Sequence, residues 1–181
     1  MHLTIAMLTY RRNEYLAQVI PQLLKQADDV SGPDATAGVL IVDNDPQAGA
    51  RAVVEAARAA LGSDPAESPE SLGEDDSAVS ALTSRLVYVH EPEPGIVAGR
   101  NRALSEARGS DALVFIDDDE IPSPGWLASL VSTWRSQECA AVTGPTPPTF
   151  EDTPSPWVTA SGAFDSWEAA DGAQVRSADT G

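Results

Sequence analysis

Residues 112–120, ALVFIDDDE, decide how this chain folds. Ala112, Leu113, Val114, Phe115 and Ile116 form an unbroken apolar run that leads directly into Asp117, Asp118 and Asp119. A run of this length, rich in β-branched and aromatic residues, reads as a strand buried on both faces. Such strands belong to parallel sheets sandwiched between helices, and we expect this one at the sheet's centre. In open α/β sheets, ligands bind outside the carboxyl ends of the strands. The three aspartates therefore emerge where a ligand site would lie. Crowded carboxylates repel one another and are stabilised by a cation. Oxygen ligands suit Mg²⁺ or Mn²⁺, which commonly bind through one or two carboxylates plus substrate phosphates. Pro122 and Pro124 follow, so the chain leaves through a stiff turn.

The same pattern recurs upstream. Leu3 to Leu8 reads as a first buried strand, ending in Thr9, Tyr10, Arg11, Arg12 and Asn13. Asn13 is placed to cap the next helix, in which Leu16, Val19, Ile20, Leu23, Leu24 and Ala27 recur at helical spacing. Pro21 interrupts that pattern, so a kink or restart is expected there. Val39 to Val42 is a second strand, ending in Asp43, Asn44 and Asp45, with a helix from about Ala48 to Leu61 and a stop at Gly62. Residues 63–84 hold no base and few large apolar groups, and read as a mobile acidic insertion. Leu86 to Val89 is a third strand. The stiff loop EPEPG and a helix over Val97 to Arg108 follow it. Beyond the acidic run, Ser123 and Pro124 have the chemistry of an N-cap and first helical position. Trp126, Leu127, Leu130, Val131 and Trp134 make the apolar stripe of that helix, and Ala140 to Thr143 is a further strand candidate. Alternating strands and helices imply a three-layer α/β/α domain with a mostly parallel sheet. No glycine-rich dinucleotide or P-loop phosphate cradle is present.

Bulk properties narrow the function. The 181 residues carry 28 acids against 11 bases, a formal net charge of −17. That balance argues against non-specific nucleic-acid or anionic-membrane binding. Cys139 is the only cysteine, so no internal disulfide forms, which is compatible with a reducing, cytoplasmic compartment. No segment has the apolar length of a membrane span, and the start MHLTIAML lacks a signal peptide's basic region. Arg100, in GIVAGRN, supplies a planar cation able to pair with phosphate or with an aspartate. One cation, an acid pair and a loop-lined pocket suit a nucleoside diphosphate better than a nucleic acid.

Taken in order, LTYRR, IVDND, GIVAGRNRAL and VFIDDDEIPSPGWL resemble the family 2 glycosyltransferases of the GT-A fold, over about residues 3–145. The wording TYRR, VDND and FIDDDE is similar to that of the succinoglycan-type glucosyltransferases, and GPTPPTF…PW…GAF follows the same style. The resemblance implies a nucleotide-sugar-binding core over 1–145 and the start of an acceptor-side region over 146–181. It implies that Thr9, Tyr10 and Arg11 line the nucleotide pocket and that Asp43 accepts a hydrogen bond from a uracil ring. Arg100 would stand near base and diphosphate. Asp117, Asp118 and Asp119 match the D-x-D motif, with Asp117 and Asp118 on the nucleotide's side and Asp117 and Asp119 as metal ligands. Thr9 and Asn101 could equally be turn or cap residues, and Asp43 could merely cap the helix after it.

The resemblance further implies inverting transfer from a nucleotide sugar, UDP-linked in this subgroup, to a glycan or lipid-linked acceptor, with Mg²⁺ or Mn²⁺. Synthesis of an exopolysaccharide or cell-surface glycan, in the cytoplasm and at the inner face of the membrane, would be its setting. The family's base belongs to a Glu-Asp motif after a Thr-Gly-Asn segment. Asp179, Thr180 and Gly181 end the chain at the place of that segment, and Glu151-Asp152 comes too early. The expectation is therefore an N-terminal, donor-binding part whose base lies beyond Gly181, completed by a second polypeptide or a homodimer, and weak or inactive alone. Two other readings remain open: a non-catalytic nucleotide-sugar-binding fragment, and a metal-dependent sugar nucleotidyltransferase.

Overall fold

The computed structural model describes residues 1–61, 85–137, 139–150, 152–164, 170 and 172–173. Gly62 and the acidic stretch 63–84 lie outside the described residues. By internal contact the chain forms two compact units, Met1–Ala128 and Ser129–Gly181.

The first unit is built on four strands: β1 (His2–Thr9), β2 (Thr36–Asp43), β3 (Leu86–His90) and β4 (Ala112–Asp117). They pair in the order β3-β2-β1-β4, and every pair is parallel. Between them run the helices α1 (Asn13–Val30), α2 (Arg51–Leu61) and α3 (Ile96–Glu106). α4 (Trp126–Gln137) follows β4, and all but its first three residues belong to the second unit. This is the α/β class expected, with an all-parallel sheet flanked by helices.

Alternation along the strands divides the core between two faces. Leu3, Ile5, Met7, Val39 and Ile41 lie in register on one face, and each is at most 1% exposed. α1 contacts both β1 and β2, and its buried Leu16, Val19, Ile20, Leu23, Leu24 and Ala27 form the covering stripe. α2 packs beside α1 and β3. The opposite face holds Ala6, Leu40 and Val42 with Ala103 of α3, and Leu8, Val87, Val89 and Leu113 pack around them. Gly99 lets α3 approach closely. A Cβ there would lie 2.9 Å from Leu8 Cδ2 and 3.3 Å from Leu8 Cγ.

Several expectations are corrected. β4 is not central: it pairs with β1 alone among the described residues, and Phe115 is 38% exposed. The fully buried centre is β1 and β2, whose runs look no more apolar. Pro21 does not break α1, which continues to Val30. Buried side chains before and after the exposed proline hold the helix across the missing hydrogen bond. Asn13 does not cap α1. Arg12 takes the N-cap position without a side-chain cap bond. α2 begins at Arg51 rather than Ala48, because Ala48 has a left-handed φ of 54°. α4 begins at Trp126 rather than at Pro124, since Gly125 has a φ of 77° that breaks a helical start. Its stripe is only partly core: Leu127 is fully buried, and Trp126, Leu130, Val131 and Trp134 are half-buried. Ala140–Thr143 is not a strand, and it has no ladder partner among the described residues.

The second unit is less regular. It contains α5 (Pro156–Ala160), with proline in the first turn where its missing N–H costs nothing. Phe150 and Phe164 meet edge to face at 5.2 Å.

Candidate functional site

The strand order locates the site. From β1 the chain adds β2 and β3 on one side, then crosses to place β4 on the other. The carboxyl ends of β1 and β4 therefore flank a topological switch point, where α/β sheets open a crevice for ligands. Register sets Leu8 beside Asp117 and Thr9 beside Asp43. Thr9 to Arg12 thus form one lip of the crevice and Asp117 to Asp119 the other.

The acidic run splits by direction. Asp117 is exposed, and its backbone N–H donates to Glu120 Oε2 at 3.1 Å. The Glu120 N–H returns a bond to the Asp117 carbonyl, closing a tight turn. Asp118 turns inward and is 9% exposed. One of its oxygens accepts from the Tyr10 N–H at 3.2 Å, the other from Arg12 Nη1 at 3.1 Å. The same Arg12 nitrogen lies 2.6 Å from Asp119 Oδ2. Asp119 is otherwise open to solvent. Its hydrogen bond, then the charges of Asp118 and Asp119, hold the Arg12 guanidinium further protonated than usual.

The first lip has its own constraints. Arg11 takes a left-handed φ of 58°. Its Nε donates to Asp45 Oδ1 at 3.3 Å, and its guanidinium sits 5.0 Å from the Tyr10 ring centre. Thr9 is 2% exposed, and among the described residues neither its hydroxyl nor Asn13 Oδ1 has a hydrogen-bond partner. Asn13 instead uses its Nδ2 to bond the Gly49 carbonyl at 3.0 Å.

Asp43 and Asn44, adjacent at the end of β2, serve opposite faces. Asp43 is fully buried. Its Oδ1 accepts from the Asp45 N–H at 3.0 Å, and its Oδ2 from the Ala50 N–H and the Tyr88 hydroxyl, each at 2.9 Å. It thereby folds the loop that starts α2, the cap-like role open to it from the sequence. Burial, then the Asp43 hydrogen bond, pushes the Tyr88 phenol up to about 12. Asn44 points the other way. Its Nδ2 donates to the carbonyls of Glu91 at 3.1 Å and Glu93 at 2.6 Å, while its Oδ1 accepts from the Gly95 N–H at 2.8 Å. One side chain thus clamps the EPEPG loop and sets where α3 begins. His90 Nε2 bonds the Asp45 carbonyl at 2.8 Å.

Arg100, on the exposed side of α3, lies 5.9 Å from the Phe115 ring centre and makes no ion pair among the described residues. Tyr10 and Asp118 thus meet at the crevice beside Thr9, with Asp117 and Asp119 on its far lip, while the Arg11 side chain goes to Asp45. Asp43 is buried at the end of β2, on the side of β1 away from β4, and Arg100 lies over the Phe115 ring of β4. Arg12 and Asn44 carry geometry that motif reading missed. Nothing in the sequence separates Arg12 from Arg11, and Asn44 acts on residues 47 to 51 positions away.

Among the described residues no three His, Cys, Asp or Glu side chains converge to hold a metal ion by themselves. Asp117 and Asp119 nevertheless offer exposed carboxylate oxygens at one strand end. That donor set fits a hard cation whose remaining ligands come from a phosphate-bearing molecule and water.

Comparison with known proteins gives the chain's family. The profile of the family described as Glycosyl transferase family 2 matches residues 4–170. A succinoglycan biosynthesis protein, ExoM, of Rhizobium meliloti (strain 1021) is 33% identical over 167 residues. The match covers 92% of this chain and 45% of that protein, so the chain spans about half the length of the relative.

Proposed function

The chain belongs to glycosyl transferase family 2, and on that premise we propose that it binds the nucleotide-sugar donor of a glycosyltransferase acting in polysaccharide synthesis. The donor is a UDP-sugar and the acceptor a glycan or lipid-linked glycan. Transfer proceeds with inversion, as the acceptor oxygen enters opposite the departing diphosphate. The observation that carries this reading is the switch-point crevice between β1 and β4, with an acidic run on one lip and arginines on the other.

Each residue has a part. Thr9 and Tyr10 border the nucleotide, and the Thr9 hydroxyl, unpartnered among the described residues, offers a buried polar contact at the crevice lip. Asp43 holds the β2 loop in shape. Arg11 and Arg100 face the anionic donor with guanidinium groups. Asp117 and Asp119 would hold Mg²⁺ or Mn²⁺. When bound, such a cation neutralises charge growing on the leaving diphosphate.

No helix among the described residues is long and apolar enough to cross a membrane. We place the site at the cytoplasmic face, where nucleotide sugars are available, with peripheral contact to a lipid-linked acceptor.

Calorimetric titration of UDP into the purified chain, with Mn²⁺ and then with EDTA, tests the reading. Binding should require the metal and be lost in Asp119→Ala. A folded chain that binds no UDP in either condition would refute it.

A further inference from the structure

We propose that Arg12 is the resident counter-cation of the acidic run, and that it exchanges a carboxylate for the donor's diphosphate when the donor and its cation bind. The proposal rests on the donor-site reading above.

Arg12 stands at the start of α1, on the β1 lip. Its Nη1 spans the crevice to Asp118 Oδ1 at 3.1 Å and Asp119 Oδ2 at 2.6 Å on the β4 lip. An isolated exposed ion pair would carry little weight. This contact differs, because a single nitrogen serves two carboxylates, and one of them is buried and also fixed by the Tyr10 N–H. Asp118 therefore holds Arg12 in place, while Asp119 is the outer partner.

A carboxylate already paired with one cation attracts a second less strongly. With Nη1 at 2.6 Å, Asp119 Oδ2 is already occupied by positive charge. Arg12 therefore weakens the affinity of Asp119 for a divalent ion arriving alone. A diphosphate changes the balance. A guanidinium binds phosphate oxygens through paired N–H donors at least as well as it binds carboxylate. Arg12 can then turn from Asp119 to phosphate while Asp118 keeps it at the crevice. Its electrostatic role is conserved across the exchange, and Asp119 becomes available. Arg12 is thus a positioning residue that makes cation and nucleotide bind together rather than separately.

The test compares wild-type chain with Arg12→Gln, which keeps a donor and removes the charge. Free Mn²⁺ is followed by electron paramagnetic resonance, and UDP and uridine by calorimetry with and without Mn²⁺. Loss of the competing charge should tighten Mn²⁺ alone by roughly three- to tenfold. UDP binding with Mn²⁺ should weaken by about tenfold or more, while uridine binding should not change. Arg12→Lys keeps the charge without the planar fork. Mn²⁺ affinity should stay near wild type and UDP binding should weaken, and this variant decides the matter if Arg12→Gln does not fold. Wild-type chain that binds UDP with Mn²⁺, beside variants that alter neither titration, overturns the exchange and leaves the donor site standing. A folded wild-type chain that binds no UDP removes the donor site and the exchange together.

Discussion

Replacing Asp43 by Asn puts a donor where the structure needs only acceptors. The carboxylate receives N–H groups from Asp45 and Ala50 and the Tyr88 hydroxyl, all within 3.0 Å. An amide can keep one oxygen. In the better orientation that oxygen serves Ala50 and Tyr88, and the NH₂ group meets the Asp45 N–H. One hydrogen bond to a charged group is then lost, worth about 1.5–3 kcal/mol, and a buried N–H is orphaned at about 1–3 kcal/mol. Relief from burying a charge offsets part of this. The expected net loss is about 2–4 kcal/mol. At about 2–4 °C per kcal/mol for a chain of this size, the melting temperature should fall by roughly 5–15 °C. Asp43→Ala orphans all three donors and should cost more. Urea titration followed by circular dichroism measures the loss. Phenolate absorbance should show Tyr88 titrating lower than in the wild type, though still above its ordinary range, because burial is the larger cause of its shift. A stability change under about 0.5 kcal/mol, the size of a neutral surface substitution, would refute Asp43 as the hub of the loop. Unchanged stability with lost UDP binding would show instead that the carboxylate meets the ligand.

Two further outcomes follow from neighbouring contacts. Asn44→Asp would turn a carboxylate oxygen on the carbonyls of Glu91 and Glu93, and should lower the urea midpoint by about 2–4 kcal/mol equivalent. Full stability there would mean that the loop is held by other bonds. The raised Tyr88 phenol also predicts alkaline weakening. Its folded pKa exceeds the unfolded value of 10.0, so its contribution is intact below pH 10 and is lost as the pH rises toward about 12. Urea midpoints across that window should fall more steeply for wild type than for Tyr88→Phe.

Much of the fold was legible because apolar runs and helical spacing are local signals. β1 to β4 and α1 all begin within a few residues of the places their patterns indicate. Strand order is not local. Ala112–Ile116 is as apolar as Leu3–Leu8, and nothing in either run says which stands in the middle. The candidate site was legible only as strand ends, since Thr9 and Asp117 to Asp119 follow apolar runs. Individual contacts were not. Arg11 and Arg12 are the same residue type, and only the left-handed backbone at Arg11 sends one to Asp45 and the other across the crevice. The Asn44 clamp closes over residues distant in sequence, which no local pattern encodes.

The opposed directions of Asp43 and Asn44 make β2 a strand of fixed length. Deleting one residue ahead of them would exchange their faces. A carboxylate would then meet the Glu91 and Glu93 carbonyls, and an amide would meet the N–H groups of Asp45 and Ala50. Were Asp43 and Asn44 to hold their places instead, the buried side chains upstream of the deletion would change faces. Insertions and deletions in this segment should therefore be far less tolerated than substitutions, and homologous chains should align through β2 without gaps.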